Sequence, residues 1–367
     1  MFRGISGPFC FFGPKTYFPG VKMKAAVYDG VGRISVKEAE MPATAAGGIV
    51  IRVESCAICG TDLKAYVHGN PRMKPPLVLG HEFAGRITEI GTGAAGFSIG
   101  ERVTMATSIP CGRCILCLEG LQNMCENLIP VGTAIDGAFA EYMLIPPLGI
   151  AQGNVLRIPD GLSSDEASLS EPLGCVINAQ EIIGITAADT VVVIGAGPIG
   201  YLHVETARAR GAIRVILVQR SRTRLEFAKK FGVEAAICSQ EEDPVKKVMD
   251  LTGGRGADAV IVAAPDAQAQ AQSIQMAAKG ARISFFSSIP KDNPYATLHT
   301  NLLHYRELRV CGSSDSRAIH QKLALDMLAS GKINAKALIT HRFPLSKFPE
   351  ALETMKKKEG LKIIINP

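Results

Sequence analysis

The sequence predicts an α/β protein with a β-rich first part and a doubly wound parallel sheet in its second part. Three observations predict this. Short apolar runs bounded by Gly, Pro and Asp fill the chain from Met23 to about Pro159, which is typical of β structure. After Pro159, β-branched strands alternate with helical stretches, which favours a parallel sheet covered on both faces. One of these strands runs into the pattern Gly-x-Gly-x-x-Gly at the start of a helix, an arrangement that binds dinucleotides.

The composition limits the kind of protein this chain can be. Its 367 residues fit two domains of ordinary size. A hydrophobic content of 47% is that of a folded chain, and no apolar run reaches the ~18–20 residues of a membrane span. A scattered net charge of +6 does not indicate a nucleic-acid partner. Four of the ten cysteines are clustered, which indicates metal binding in a reducing, cytoplasmic setting rather than a secreted disulfide scaffold.

The elements of the second part follow from the periodicity of their apolar residues. A helix is predicted over 165–184, with Ser163 or Ser164 as its N-cap. Strands are predicted, in order, at 190–194, 214–218, 236–238, 259–263, 282–286 and 308–312. Helices are predicted between them at 198–211, 222–231, 244–252 and 267–278. The tail adds helices over 320–330 and 349–358 and a last strand over 361–365.

Residues 1–22 differ from the rest of the chain. The segment is rich in Phe, Gly and Pro, has no acidic residue, and lacks the apolar core of a secretory signal. A strand pattern begins at Met23. We therefore expect 1–22 to be an extension without a function, either an upstream start or a remnant of expression, with an organelle presequence as the alternative.

The clustered cysteines have the spacing of metal ligands, C-x2-C-x2-C-x7-C. They are Cys111, Cys114, Cys117 and Cys125. Four thiolates so close along the chain can surround one tetrahedral ion without help from distant segments. Sulfur ligands select zinc or an iron–sulfur cluster, and both remain open. Because all four positions are cysteines, no coordination position is left for a substrate, and we expect a structural role.

A second, mixed set of metal ligands is spread along the chain. Its members are Cys59 in the run ICGTD, His81 and Glu82 in GHE, and Glu171 before a proline. A thiolate, an imidazole and a carboxylate suit zinc, and three protein ligands leave a position for water or substrate. Zinc there would lower the pKa of an alcohol group. Thr61 is expected to carry the hydroxyl proton outward, and Asp62 to orient His81.

The run VVVIGAGPIG is a strand followed by a glycine turn and a helix. Gly195 allows the tight turn, Gly197 lets the backbone approach a pyrophosphate, and Gly200 lets the helix pack on the strand. The start of the helix, with Pro198 and Ile199 in its first turn, supplies amide donors for phosphate.

The end of the next strand distinguishes the two nicotinamide coenzymes. About twenty residues after the glycines, an NAD site has an Asp or Glu for the ribose 2′-hydroxyl. Gln219 stands there instead, and Arg220, Arg222 and Arg224 follow. A missing carboxylate with guanidinium groups beside it favours a 2′-phosphate. NADP is therefore expected in preference to NAD.

Together these motifs resemble the zinc-containing medium-chain dehydrogenases, and most of all the sorbitol (L-iditol) and threonine dehydrogenase branch. The stretches that carry the resemblance are MKAAVYDG, CGTD, GHEFAGRITEIG, CGRCILCLEGLQNMCEN, GAFAEYMLIP, SEPLGCVINA and VVVIGAGPIG. The resemblance implies a GroES-like catalytic domain over 23–172 and 312–367, with a metal lobe at about 108–128. It also implies a Rossmann coenzyme domain over 173–311 and an active site in the cleft between the domains.

The resemblance also implies roles for the metal ligands. Cys59, His81, Glu82 and Glu171 match the catalytic zinc positions, where Glu82 and Glu171 exchange as ligands or act through water. The cysteine quartet matches the structural zinc, so two zinc ions per chain are expected. Members of this branch are often tetramers or dimers, and a homotetramer or homodimer is expected here. The expected partner is a small alcohol or ketone, with no nucleic acid and no membrane.

Two departures from the pattern of this family limit the expected coenzyme and substrate. Gln219 replaces the acid of NAD-using relatives, and Lys64 stands where threonine dehydrogenases have a histidine after CGTD, which speaks against threonine. The run EPLGCVINAQE resembles bacterial enzymes for polyols, sugars or cyclitols. We predict reversible oxidation of a secondary alcohol to a ketone with NADP or NAD. The alternatives are a simple alcohol dehydrogenase, a quinone or enone reductase that needs no metal, and a non-catalytic zinc- and dinucleotide-binding homologue.

Overall fold

The computed structural model describes residues 17–44, 46–290 and 292–367. The expectation for the first sixteen residues of the extension lies outside the described residues. Residues 17–22 belong to the first strand, which begins at Tyr17 and not at Met23 as predicted. The strand starts earlier because a neighbouring strand pairs with Tyr17 and Lys22.

Strands predominate up to Pro159, and strands and helices alternate after it, as the sequence predicts. The strands are β1 (Tyr17–Gly30), β2 (Arg33–Pro42), β3 (Ile49–Ala57), β4 (Leu77–Val78), β5 (Glu82–Ile90), β6 (Arg102–Met105), β7 (Ser108–Ile109), β8 (Ile129–Pro130), β9 (Tyr142–Ile145), β10 (Val155–Arg157), β11 (Thr190–Ile194), β12 (Arg214–Gln219), β13 (Ala235–Cys238), β14 (Ala257–Val262), β15 (Ala277–Phe285), β16 (Arg309–Gly312), β17 (Ile339–Pro344) and β18 (Lys362–Asn366). The α-helices are α1 (Gly60–His68), α2 (Ile115–Leu118), α3 (Pro147–Ala151), α4 (Ser164–Ser168), α5 (Ser170–Ile182), α6 (Pro198–Ala209), α7 (Arg222–Leu225), α8 (Pro244–Leu251), α9 (Ala267–Met276), α10 (Thr300–Tyr305), α11 (Ala318–Ala329), α12 (Ala335–Leu338) and α13 (Phe348–Lys356). Short 3-10 helices cover Gln122–Met124, Glu226–Lys230 and Leu345–Lys347. Within the described ranges, no helix combines the length and the apolar character that crossing a membrane requires.

The described chain forms two compact units. The first takes the described residues up to Arg157 together with Phe343–Pro349 and Ile365–Pro367. The second takes Ile158–Arg342 and Glu350–Ile364.

The first unit is built from antiparallel strands. β1 pairs with β2 and β4, and a second sheet of seven strands contains the run β10-β6-β5-β3, with β9 pairing with the other edge of β3. Inward-facing side chains such as Ile51, Phe83 and Ile87 are buried between these strands. The pairing of β3 with β5 places Ala57 opposite Glu82, so the end of one strand meets the start of the other.

The second unit contains the predicted parallel sheet, in the order β13-β12-β11-β14-β15-β16. Its central strand β11 has the predicted bounds, and its residues are buried because strands lie on both sides and helices cover the faces. Val192 and Ile194 of β11 pack with Ile216 and Val218 of β12 in the core. The fold class, a GroES-like β-rich domain with a Rossmann coenzyme domain, is confirmed.

One predicted helix, over 165–184, is in fact two. Ser163, one of the two predicted N-cap residues, caps α4 and forms a reciprocal capping box with Glu166. α4 ends at Ser168 and α5 begins at Ser170. Pro172 explains the break, because proline lacks an N–H and its ring excludes the carbonyl four residues earlier unless it stands in the first turn. The helix predicted over 222–231 is likewise α-helical only as far as Leu225.

Candidate functional site

Three of the predicted catalytic ligands come together in the first unit. Cys59 follows β3 and is the N-cap of α1, while His81 and Glu82 stand at the start of β5. Because Ala57 lies opposite Glu82, the ligand atoms of Cys59, His81 and Glu82 lie within 4.8 Å of one another. A thiol, an imidazole and a carboxylate in this arrangement form a donor set that suits zinc.

Asp62 connects two members of this set. Its carboxylate is buried, and Oδ2 accepts a hydrogen bond from the Cys59 N–H at 2.9 Å, which completes a reciprocal capping box at the start of α1. Its Oδ1 lies 3.8 Å from His81 Nδ1, and this leaves Nε2 of the ring for a metal. Thr61 is exposed, and its Oγ1 lies 3.7 Å from Cys59 Sγ.

The four cysteines of the metal lobe also converge. Their Sγ atoms lie within 4.8 Å of one another, with 3.5 Å between Cys114 and Cys117 and 3.8 Å between Cys114 and Cys125. Four Zn–S bonds of about 2.3 Å in a tetrahedron place the sulfurs about 3.8 Å apart. The spacing therefore fits one tetrahedral ion rather than a cluster that separates the sulfurs across several metal atoms.

Backbone N–H groups donate to all four of these sulfurs. The N–H groups of Cys111 and Asn127 donate to Cys125 Sγ at 3.2 and 3.3 Å, and the N–H of Cys114 donates to Cys111 Sγ at 3.4 Å. Burial raises the pKa of Cys111, but the N–H groups of Arg113 and Cys114 outweigh it and bring the pKa to about 6. Burial raises the pKa of Cys125 to about 12. Binding a cation would favour the thiolate at all four positions.

The glycine turn lies between β11 and α6 in the second unit. Gly195 has φ of 116°, a conformation that glycine adopts without strain. A Cβ at Gly200 would lie 1.7 Å from the carbonyl oxygen of Gly195, so only glycine allows α6 to approach the turn this closely. Gly197 is the N-cap of α6, and Pro198 is its first residue, followed by Ile199. The first N–H groups of a helix have no partner within the helix and are donors that an anion can bind.

The side chains after β12 surround this turn. Gln219 Oε1 accepts a hydrogen bond from the N–H of Ala196, inside the turn, at 2.8 Å. A Cβ at Gly197 would lie 3.2 Å from Arg224 Nη1, so the Arg224 guanidinium lies against the glycines. Burial lowers the pKa of Arg224, and no carboxylate of the described residues forms an ion pair with it. Arg220 is exposed at the end of the strand.

Glu171 lies in the second unit, in the first turn of α5. Its neighbours are Cys175, whose Sγ lies 3.6 Å from Glu171 Oε1, and Asp315; the ligand atoms of the three lie within 4.8 Å of one another. The sequence reasoning missed Cys175 and Asp315. The signal for Cys175 is its helical spacing of four residues from Glu171, whereas Asp315 comes from a distant loop and carries no local signal.

The comparisons with known proteins agree with this arrangement. The alcohol dehydrogenase GroES-like domain family matches residues 45–160, and the zinc-binding dehydrogenase family matches residues 198–330. The chain is 36% identical to L-threonine 3-dehydrogenase of Bacillus licheniformis over 87% of this chain and 91% of that protein. It is 33% identical to sorbitol dehydrogenase of Halalkalibacterium halodurans over 94% of this chain and 99% of that protein.

A solved structure agrees as well. A protein assigned as a zinc-binding dehydrogenase from Sinorhizobium meliloti 1021, bound to NADP, has a TM-score of 0.88 to this chain at 33% identity, over 95% of this chain and all of that one. Fold and site thus define a zinc-dependent oxidoreductase that uses a nicotinamide coenzyme. The chain belongs to the zinc-containing medium-chain dehydrogenases, in the branch of the sorbitol and threonine dehydrogenases.

Proposed function

We propose that this protein oxidises a secondary alcohol of a polyol, sugar or cyclitol to a ketone, with NADP preferred to NAD as the hydride acceptor. The observation that carries the proposal is the convergence of Cys59, His81 and Glu82 in a chain that also has a dinucleotide-type glycine turn. The relatives support a secondary alcohol, because threonine at carbon 3 and sorbitol both carry one, as the names L-threonine 3-dehydrogenase and sorbitol dehydrogenase indicate.

In the proposed mechanism, Cys59, His81 and Glu82 hold the catalytic zinc, and Glu171 is a further ligand on the strength of the resemblance alone. Zinc bound there supplies Lewis-acid chemistry that lowers the pKa of an alcohol group. Thr61 Oγ1 receives the hydroxyl proton and passes it towards solvent, a role that its exposure and its distance from Cys59 support.

For the coenzyme, we assign the pyrophosphate to the N–H groups at the start of α6, around Gly195, Gly197 and Gly200. Arg220 and Arg224 are assigned to the 2′-phosphate. Arg224 supports this because its half-buried charge beside the glycine turn has no described carboxylate partner. Gln219 supports it as well, since its neutral side chain already bonds to the turn and does not repel a phosphate.

The cysteine quartet is proposed to hold the second, structural zinc, which makes two zinc ions per chain. The domain limits proposed from the sequence are 1–22 for the extension, 23–172 and 312–367 for the catalytic domain, and 173–311 for the coenzyme domain. A homotetramer or homodimer and a cytoplasmic location complete the proposal.

The metal assignment is tested by zinc analysis of purified variants. The wild type should hold about two zinc ions per chain, and Cys59→Ser should lose one of them together with turnover. Cys114→Ser should lose the other, because it removes one of four thiolates from a closed site. Cys311→Ser is the matched control and should keep both ions and full turnover. Full zinc content and turnover in Cys59→Ser would contradict the assignment.

The coenzyme and substrate assignments are tested by steady-state rates. A panel of polyols, sugars, cyclitols and short alcohols should give the highest kcat/KM with a polyol-type compound and NADP. Arg220→Ala should raise the KM for NADP about tenfold and leave that for NAD unchanged, since a charge-assisted phosphate bond is lost. Equal kcat/KM for the two coenzymes in the wild type would overturn the preference.

A further inference from the structure

A short acidic loop lies against the segment that follows β12. We use this name for residues 239–243, which include Glu241 and Glu242. The N–H of Ser239 donates to the carbonyl oxygen of Gln219 at 2.9 Å, and the N–H of Gln240 donates to that of Arg220 at 3.2 Å. These two bonds hold the acidic loop beside the residues that the proposed function assigns to the 2′-phosphate.

Glu241 of this loop binds Arg222 at two points. Arg222 Nε donates to Glu241 Oε1 at 2.6 Å, and Nη2 donates to Oε2. The hydrogen bond to Glu241 raises the pKa of Arg222, and the same bond lowers the pKa of Glu241. Both groups are therefore charged at neutral pH, and the pair has the two-point geometry of a strong arginine–carboxylate interaction.

The three arginines after β12 differ in their partners. Arg222 is neutralised by a carboxylate, whereas among the described residues neither Arg220 nor Arg224 forms an ion pair. The Arg222–Glu241 pair is also accessible, because both side chains are more than 40% exposed. A ligand phosphate can thus approach the pair and compete with Glu241 for the guanidinium.

We propose that Glu241 is a specificity-determining residue that limits the preference for NADP. It does so by occupying Arg222 and by placing a negative charge beside the 2′-phosphate. The inference rests on the proposed function, in which that phosphate lies next to the segment after β12. NAD carries a neutral hydroxyl at this position, so the carboxylate disfavours one coenzyme and has little effect on the other. Its effect is electrostatic and is screened by salt.

The test compares Glu241→Gln with the wild type. The dissociation constants of NADPH and NADH are measured from the fluorescence of the reduced nicotinamide, which is read directly because the protein has no tryptophan. In Glu241→Gln, NADPH should bind about threefold to fivefold more tightly, the effect of one exposed charge pair, and NADH should bind as in the wild type. The gain should shrink in 0.5 M salt, and it should be smaller when Glu241→Gln is made in an Arg222→Ala background, where only the repulsion between the carboxylate and the phosphate is removed.

Glu242→Gln is the matched control. Glu242 is the next residue, carries the same charge and pairs with Lys247 at 3.4 Å instead of with Arg222, so Glu242→Gln should change the NADPH to NADH ratio much less than Glu241→Gln does. Weaker NADPH binding in Glu241→Gln would show that Glu241 instead orients Arg222 for the phosphate, and would overturn the inference. An equal gain for NADH, or the same gain in Glu242→Gln, would overturn it as well.

A failure of the proposed function gives a different result. In that case the wild type binds NADH more tightly than NADPH, and Arg220→Ala changes neither constant. The role of Glu241 is judged from a different quantity, the change in the ratio of the NADPH and NADH dissociation constants between the wild type and Glu241→Gln. This change supports or refutes the role whichever coenzyme the wild type prefers.

Discussion

Replacing Asp62 with asparagine separates the charge of this residue from its shape. Asp62 is buried, accepts the Cys59 N–H at 2.9 Å and faces His81 Nδ1 at 3.8 Å. The amide oxygen of asparagine still accepts the Cys59 N–H, so the start of α1 keeps its cap. The negative charge beside the His81 ring is lost, and with it the attraction that orients the ring for the metal.

The magnitude follows from the geometry. Loss of a group that orients a metal-bound histidine typically costs 10–100-fold in metal affinity or activity. The 3.8 Å distance is longer than a hydrogen bond, so the interaction is weaker than a direct bond and the smaller end of the range applies. We expect zinc affinity at the Cys59 site to fall about tenfold, or about 1.4 kcal/mol, and kcat/KM to fall with it.

The assay is a competition titration of zinc against a chelator, with turnover measured in parallel. Asp243→Asn is the control, because Asp243 caps α8 through the N–H groups of Val245 and Lys246 and is not part of any proposed metal site. It should leave zinc affinity and kcat/KM unchanged. Unchanged zinc affinity in Asp62→Asn, or an equal loss in the control, would refute the role of the Asp62 charge.

Two further predictions concern the second unit. Gly200→Ala should raise the dissociation constant of the coenzyme at least tenfold and lower the free energy of unfolding by about 1–3 kcal/mol, because the new Cβ would lie 1.7 Å from the Gly195 carbonyl oxygen. In the control variant Gly312→Ala, the new Cβ meets no neighbour within 4 Å, and neither quantity should change. Coenzyme titration and urea unfolding measure the two quantities. His203 is buried and its pKa is lowered to about 3, so the unfolded chain binds a proton that the folded protein does not. The free energy of unfolding is unaffected by this proton above pH 6.5. It falls by about 1.4 kcal/mol per pH unit as the pH decreases from 6.5 towards 3. In His203→Leu, the free energy of unfolding measured with urea should depend less on pH over that range. An unchanged pH dependence would contradict the lowered pKa of His203.

The second half of the fold could be predicted because its signals are local. β11 is a run of β-branched residues with both faces buried, and its observed bounds are the predicted ones. The break between α4 and α5 was missed although the sequence contains its cause, since Pro172 is compatible with a helix only in its first turn. The early start of β1 at Tyr17 could not be predicted, because it depends on pairing with β2 and not on the composition of the segment.

The two proposed metal sites also differ in how far the sequence alone predicts them. The cysteine quartet comes from one stretch of fifteen residues, and its spacing alone predicts that the sulfurs meet. The residues around Cys59 meet only through tertiary structure. The Arg222–Glu241 pair likewise has no sequence signal, because it joins the ends of two neighbouring parallel strands.

The register of β3 against β5 brings Cys59 to His81, and it depends on two bulges, one at Thr88 in β5 and one at Glu54 in β3. Val53 lies opposite Gly85 and Ser55 opposite Ala84, so Glu54 is the extra residue in β3. Its carboxylate binds Arg86 Nε at 3.1 Å. A bulge shifts all later pairs by one residue, and such a shift turns each side chain to the other face of the sheet. The bulge at Glu54 offsets the one at Thr88, so without it Glu82 would no longer lie opposite Ala57, and Cys59 would move away from His81 although every proposed ligand was still present. The chemistry proposed for this site therefore depends on a residue outside the proposed set of ligands.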